Sequence, residues 1–508
     1  MKSVWTRLTM VAVVALAILT AGRFFTAMQT QAATGQAPAA IAQQQALPPA
    51  NVIVQVGELA PAAEAAAPTG WDTEWSQLLK IRLMAQLDSS GEDAWSPADH
   101  PLVYVTSQGP GYGSAAVGGA FLSEVQKAPG LAIIDADTYE SVATAQYETG
   151  LETYSENHGL GVSPDGQWIY TQGNHPDSTL RGNAVLNIIN ARTLKLDKII
   201  ETRVHHARVI HNAYTGKDLV LIDGWGTFFA LDPEDDNRVV GAVDPADLQG
   251  SGYLAFGDPT GKWLLISVRT GFLESDGGIA VVSLEDWKVK ARINTHDGSP
   301  IWVAFSGDGK IAYVSDGHDS KVAKIDMSAE NPAMWRVTGM ANAGAIGPYG
   351  LTLSWDDTML FTIGKGEASH NQGKTVGYID TRMFAEPDQY RGWGTVLGQL
   401  VTDCLRQDHA IIHPDAEKNE MWISCNSSFE NVIVDMKSIE VKNRVPQPNG
   451  GSSHNGAFVA YGPDWSGELL SDTNGFHGRA VITKLQQLQP KTEGPPPTPT
   501  PEGPGAGK

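Results

Sequence analysis

The sequence predicts an all-β fold, a seven-bladed β-propeller with eight blades as the runner-up. Three observations lead there: a strand–turn–strand unit that recurs, a regular period of 48 residues, and a near absence of helical signals. The unit is clearest in GLGVSPDGQWIYTQGN (159–174), LAFGDPTGKWLLISVRTG (254–271), VAFSGDGKIAYVSDG (303–317) and LTLSWDDTMLFTIGKG (351–366). Each alternates apolar residues on both sides of a tight Asp/Gly turn, the pattern of a hairpin. Looser copies are RVIHNAYTGKDLVLIDGW (208–225), AIIHPDAEKNEMWISCN (410–426) and AFVAYGPDWSGELLSDTNG (457–475).

Ser306 to Ser354 is 48 residues, His158 to His206 is again 48, and Ser163 to Ser306 is 143, close to three periods. Two further short strands lie between copies, such as SKVAKID (320–326) with MWRVTG (334–339), or GIAVVSL (278–284) with KVKARIN (288–294). Four antiparallel strands per period make a propeller blade. PLVYVTSQG (101–109), GLAIIDADT (130–138) and SVATAQY (141–147) are expected to complete the closing blade with the unit after His454.

Residues 1–33 have the layout of a secretory signal, with Lys2 and Arg7 before an apolar run and small residues after it; an uncleaved N-terminal membrane anchor is the alternative. The expected location is therefore periplasmic or otherwise extracytoplasmic. Residues 34–70 read as a disordered Ala/Gln/Pro linker and 489–508 as a Pro-rich tail, leaving 71–488 for the propeller. A formal charge of −21, with no basic run after the signal, excludes nucleic acid as a partner. Cys404 and Cys425 are too few for a disulfide scaffold, a four-cysteine zinc site or an iron–sulfur cluster. They flank one hairpin, so the choice is between one structural disulfide and two buried thiols.

In a propeller the innermost strand of each blade begins at one face, and the loop between its second and third strands returns there. Ten of the 13 histidines fall at such positions. His158, His206, His409 and His454 precede or begin innermost strands in four blades and are expected to ring the channel mouth. His175, His318, His370 and His477 sit in second-to-third-strand loops as a wider tier, joined by His205 and His296. His211 and His413 belong to the opposite turns, and His100 is ambiguous between the two faces. A lone loop histidine is ordinarily a satisfied hydrogen-bonding residue. Four converging imidazoles instead need an acceptor for their lone pairs, which a metal ion provides. All-nitrogen ligation without thiolate suits copper before zinc or iron. By strand alternation His205 is expected on the other side of the strand from His206.

A propeller that collects histidines at the channel mouth in this way resembles the catalytic domain of nitrous oxide reductases and, more closely, the copper-containing thiocyanate dehydrogenases. Cytochrome d1-type propellers are a third relative. The likeness spans roughly residues 100–485. There is no C-terminal cupredoxin domain with its cysteines, which disfavours nitrous oxide reduction. The resemblance implies a copper cluster of more than one ion, with His370, His318, His175 and Asp258 as further ligands. It also implies two-electron oxidation of a small inorganic sulfur or nitrogen compound, with an external electron acceptor such as a c-type cytochrome. An anionic substrate approaching an acidic protein needs local cations, and Lys365 and Arg269, with Arg181, lie in suitable loops. Glu274 is the candidate proton acceptor. The rival reading is a non-catalytic exported propeller acting as a binding or scaffolding module, which needs no metal.

Overall fold

A computed structural model describes residues 52–55, 73–109, 130–148, 159–224, 226–269, 277–297, 299–366, 373–391, 396–448 and 451–489. His158, His370 and Glu274 lie outside them, as do the side chains of Arg181 and His296. The described strands form seven sheets, nearly all antiparallel. Blades 2 to 6 are four-stranded meanders that begin with the innermost strands His206–Asn212, Ser251–Gly257, Pro300–Phe305, Pro348–Leu353 and Gln407–Ile412. Blade 1 starts at Leu160–Val162 and gains a fifth, outer strand, Arg82–Gln86, paired antiparallel with Leu196–Glu201. In blade 7 the innermost strand Ser452–Tyr461 pairs with Leu102–Gly109, which is followed by Gly130–Asp135 and Ser141–Glu148. Each innermost strand touches the next, and that of blade 7 touches that of blade 1, so the ring closes by joining the two ends of the chain. This makes the fold a seven-bladed β-propeller.

The repeated turn has a common chemistry. In blades 1, 4 and 5 the first residue of the motif is a serine whose Oγ accepts the N–H five residues on: Trp168 on Ser163 at 2.9 Å, Ile311 on Ser306 at 3.0 Å and Met359 on Ser354 at 3.1 Å. Gly166 and Gly309 take the left-handed conformation, with φ of 71° and 68°, that closes the turn without a β-carbon clash. Between blades, the strands bury continuous apolar faces in which Trp302, Trp422, Phe228 and Phe229 are fully covered. That burial is the main source of stability in such an array.

Two differences from the sequence reading concern the ends. Val52–Gln55, inside the segment expected to be a disordered linker, is a strand that pairs parallel with Ala145–Glu148 at the outer edge of blade 7. The seventh hairpin is also not a blade's first pair. Gly467–Asp472 pairs with Ser452–Tyr461 on the side away from Leu102–Gly109 and so enters the central channel. There Asp472 accepts the Val209 N–H at 2.7 Å, and Asn474 exchanges hydrogen bonds with the backbone of Gly257. The last described element is a helix, Gly478–Leu488. Among the described residues no helix is long and apolar enough to cross a membrane.

A buried histidine cluster at the channel mouth as candidate functional site

The innermost strands deliver His206, His409 and His454 from blades 2, 6 and 7 to one place. Their ring centroids are 6.0 Å (His206–His409), 6.2 Å (His206–His454) and 5.8 Å (His409–His454) apart, and all three side chains are buried. His205 joins them, with its ring 4.2 Å from that of His206. The expectation that it points away is corrected. The strand begins only at His206, so alternation does not govern the residue before it. Two glycines make room: a β-carbon at Gly159 would overlap the His205 carbonyl, and one at Gly350 would lie 2.5 Å from the His409 Cα.

Carboxylates and cations surround the rings. Asp408, fully buried, meets the Lys365 Nζ at 2.8 Å, the His454 Nε2 at short range and the His409 Nδ1 at 3.7 Å. Lys365, expected as a solvated or substrate-facing loop lysine, is buried, with its ammonium 3.7 Å from the Tyr349 ring centroid. Asp223 opposes His206 in strand register and sits 3.4 Å from the His206 Nδ1; it also holds the Arg208 Nη2 at 3.0 Å. The Arg208 Nη1 donates to the Ala255 carbonyl at 2.7 Å. Arg269 lies half-buried over Tyr253, 3.7 Å from its centroid, and its Nη2 has no hydrogen-bond partner among the described residues. Trp302 stacks on His409 at 4.9 Å and 19°.

Burial dominates the protonation of the rings. It lowers His205 and His206 well below the usual range, with Lys365 and the neighbouring imidazoles adding to it. Burial also lowers His409, and takes His454 to about 4, in both cases against the pull of Asp408. Burial works against the Asp408 carboxylate, yet His454 and Lys365 outweigh it and hold its pKa well below the usual range. Burial raises Asp223 to about 6 despite Arg208. The rings are thus neutral at pH 7, with lone pairs to offer.

This donor set fits a transition ion. The His409 Nε2 is buried without a hydrogen-bond partner among the described residues. Nitrogen–metal distances near 2.0 Å put each ring centroid about 3.1 Å from an ion, so three rings around one ion lie about 5.4 Å apart. The observed separations, 5.8–6.2 Å, are within about 1 Å of that. Asp408 beside His454 and Asp223 beside His206 have the positions of carboxylates that orient ligating imidazoles. Among the described residues, the group whose potential ligand atoms, one each, come within 4.8 Å of one another is His205, His206 and Asp223; His206, His409 and His454 are brought close by their ring centroids.

Four further histidine-face expectations are corrected. Asp258 is the turn residue of blade 3, equivalent to Ser163, Ser306 and Ser354; its carboxylate accepts the N–H groups of Thr260, Lys262 and Trp263 on the opposite face. His318 is largely exposed and pairs with its neighbour Asp319 at 2.8 Å. His175 is buried in a loop, where its Nδ1 accepts the Asp177 N–H at 3.2 Å and Arg82 of the outermost strand is its nearby cation. It lies toward the blade rim because its loop folds outward over Glu201. His477 belongs to the opposite face, because the last hairpin runs down the channel; its Nε2 meets Asp472 at 2.8 Å. Cys404 and Cys425 are joined as a disulfide beside the start of the His409 strand. Sequence reasoning missed Asp408, Asp223, Arg208 and Trp302. The acidic residue directly before His409, and Arg208 two residues after His206 on the same strand face, were the available signals.

No family model matches the chain, and no curated protein matches it. Solved structures similar to it include the periplasmic gluconolactonase PpgL of Pseudomonas aeruginosa, at 14% identity and TM-score 0.48 over 70% of this chain and 99% of that one. Another is the dihydro-heme d1 dehydrogenase NirN, at 14% identity and TM-score 0.45 over 80% of each chain. A third is the hydrazine synthase of Kuenenia stuttgartiensis, at 14% and 0.42 over 64% of this chain and 98% of that one. At this distance the likenesses say nothing about activity.

Proposed function

We propose that the protein is an exported oxidoreductase whose channel mouth holds copper on His206, His409 and His454, with His205 alongside. The substrate is a small inorganic sulfur or nitrogen compound, thiocyanate first. The observation that supports this reading is the convergence of three buried imidazoles from three blades, their ring centroids 5.8–6.2 Å apart, beside the His205, His206 and Asp223 group. Copper bound there would supply Lewis acidity and a store for the electrons removed from the substrate. The chain's own residues do the rest. Asp223 and Asp408 orient His206 and His454, Trp302 walls the site against water, and the Arg269 guanidinium offers its Nη2 to an arriving anion. The signal-like N-terminus and the Cys404–Cys425 disulfide both suit an oxidising compartment outside the cytoplasm.

A second reading is favoured by one observation. Asp408 is already engaged by Lys365 and His454, as in a hydrogen-bonded polar mouth that needs no ion, and the protein is then a binding module. Elemental analysis after copper loading and desalting separates the two. Retained copper, lost in His206→Ala and His409→Ala variants that keep the wild-type circular dichroism, together with thiocyanate-dependent reduction of an artificial acceptor, is the expected result. A folded protein that retains no transition metal leaves only the binding module.

A further inference from the structure

A cavity lies on the face opposite the histidine cluster. We propose that it is the binding site of a planar, carbonyl-bearing organic oxidant of the quinone class, and that Trp302 conducts electrons to it from the cluster. Occupancy of the cavity stands on its own; the electron path rests on the copper reading.

The cavity holds about 350 Å³, the size of a small-molecule site. Inner strands of blades 3 to 6 wall it, and the channel strand and the helix Gly478–Leu488 close it. Its carboxylates are already occupied. Asp258 is spent on its own turn, Asp472 on Val209, Asn474 and His477, and Asp218 on His211. The Lys484 ammonium in the lining is likewise held by Asp357 and the Ser354 carbonyl, so the site selects a neutral ligand over a charged one. The Thr473 Oγ1 is buried and has no hydrogen-bond partner among the described residues, which suits a donor to a ligand carbonyl. Phe476, itself stacked on Trp355 at 4.1 Å, supplies an aromatic wall. Val481 and Leu485 line the cavity while Ile482, beside them, is 60% exposed, an apolar rim for a hydrocarbon tail.

Trp302 is the link. It lines the cavity and stacks on His409, so one indole separates the two sites. The electron balance closes: two electrons leave the oxidised substrate at the cluster, and the quinone takes them up with two protons to become the hydroquinone. One proton comes from the His477 imidazolium at the cavity wall, the other from solvent at the opening. Burial works against protonation of His477, but the Asp472 carboxylate outweighs it and raises its pKa.

The test is equilibrium dialysis of the full-length protein against duroquinone, both metal-free and copper-loaded. One saturable site per chain is expected in both states. Thr473→Val and the cavity-filling Val481→Trp should each weaken binding by about tenfold or more, with copper content and melting temperature unchanged. In the copper-loaded protein, Trp302→Phe should slow thiocyanate-dependent duroquinone reduction at saturating duroquinone by more than any change in duroquinone affinity or copper content, both measured on the same variant, accounts for. No saturable binding, or binding indifferent to Val481→Trp, overturns the proposal. A c-type cytochrome reduced by a protein that binds no quinone does so too, while sparing the copper reading. Duroquinone bound in the cavity of a protein that retains no copper supports the site and removes the oxidoreductase.

Discussion

Replacing Asp408 by Asn keeps the volume of a fully buried side chain and deletes its charge. Lys365, 3% exposed, then loses the carboxylate 2.8 Å away and keeps the Tyr349 ring, which carries no full counter-charge, while His454 loses the Asp408 carboxylate. An ammonium left buried without its counter-charge costs about 3–5 kcal/mol. At about 2.1 cal/mol/K per residue over roughly 400 residues, the lower figure is a melting-temperature drop of about 3–4 °C. Lys365→Met in the same chain removes the stranded cation, so the double variant should recover to within about 1 kcal/mol of wild type. Copper affinity should fall about 10–100-fold in Asp408→Asn and stay low in the double variant, because the orienting carboxylate is still missing. Calorimetry and copper competition with a chelator measure the two effects. A single variant as stable as wild type, or a double variant no better than the single one, would refute the assignment of Asp408 as the counter-charge of Lys365.

Three more outcomes follow from the geometry. Substituting both Cys404 and Cys425 by Ala opens a loop of sequence separation 21 and should cost about 3 kcal/mol by loop entropy, read from urea denaturation. Gly350→Ala forces a β-carbon against the His409 backbone and should cost about 1–3 kcal/mol; copper should weaken with it, whereas Gly216→Ala, with open space around it, should leave copper binding intact. Burial works against Glu201, but Arg82 and Thr179 outweigh it and bring its pKa to about 2 from 4.5. Its folded-state pKa is depressed, so its stabilisation is complete above pH 4.5 and is lost as pH falls toward about 2. A Glu201→Gln variant should show a flatter fall of melting temperature over that window.

The propeller was legible because its determinants are local and repeated: the Ser/Asp–x–Asp/Thr turn is written out in blades 1, 3, 4 and 5, and the alternation around a turn recurs in the looser copies. Convergence of His206, His409 and His454 was legible for the same reason, since equal position in a repeat means equal position around the axis. Asp258 was misread although the repeat carries the answer, for it occupies the column of Ser163, Ser306 and Ser354 and does their hydrogen bonding. What the repeat cannot encode is a departure from itself. The final hairpin keeps the strand–turn–strand pattern of AFVAYGPDWSGELLSDTNG, yet Gly467–Asp472 has no blade edge to extend because Leu102–Gly109 already occupies it. It pairs on the channel side instead and carries His477 to the other face. Long-range pairing, not local propensity, decided that.

The charges at the mouth bear on the substrate in a way no single residue does. Lys365 is matched by Asp408 and Arg208 by Asp223, and burial keeps the imidazoles neutral, so these groups sum to zero. Among the described residues no carboxylate pairs with Arg269, which is set in a protein of formal charge −21. Long-range repulsion from that net charge is screened within about 8–10 Å at physiological salt, so one guanidinium can hold an anion but adds little selectivity. A cation among the histidines changes the balance. It adds one or two positive charges in a site from which water is largely excluded, where they act at low effective dielectric. Affinity for a small anion should therefore depend on the bound ion, with Arg269 secondary. Thiocyanate should protect the copper-loaded protein against thermal unfolding and leave the metal-free protein unaffected. Equal protection of both forms would mean that the anion is held by Arg269 without help from the cluster.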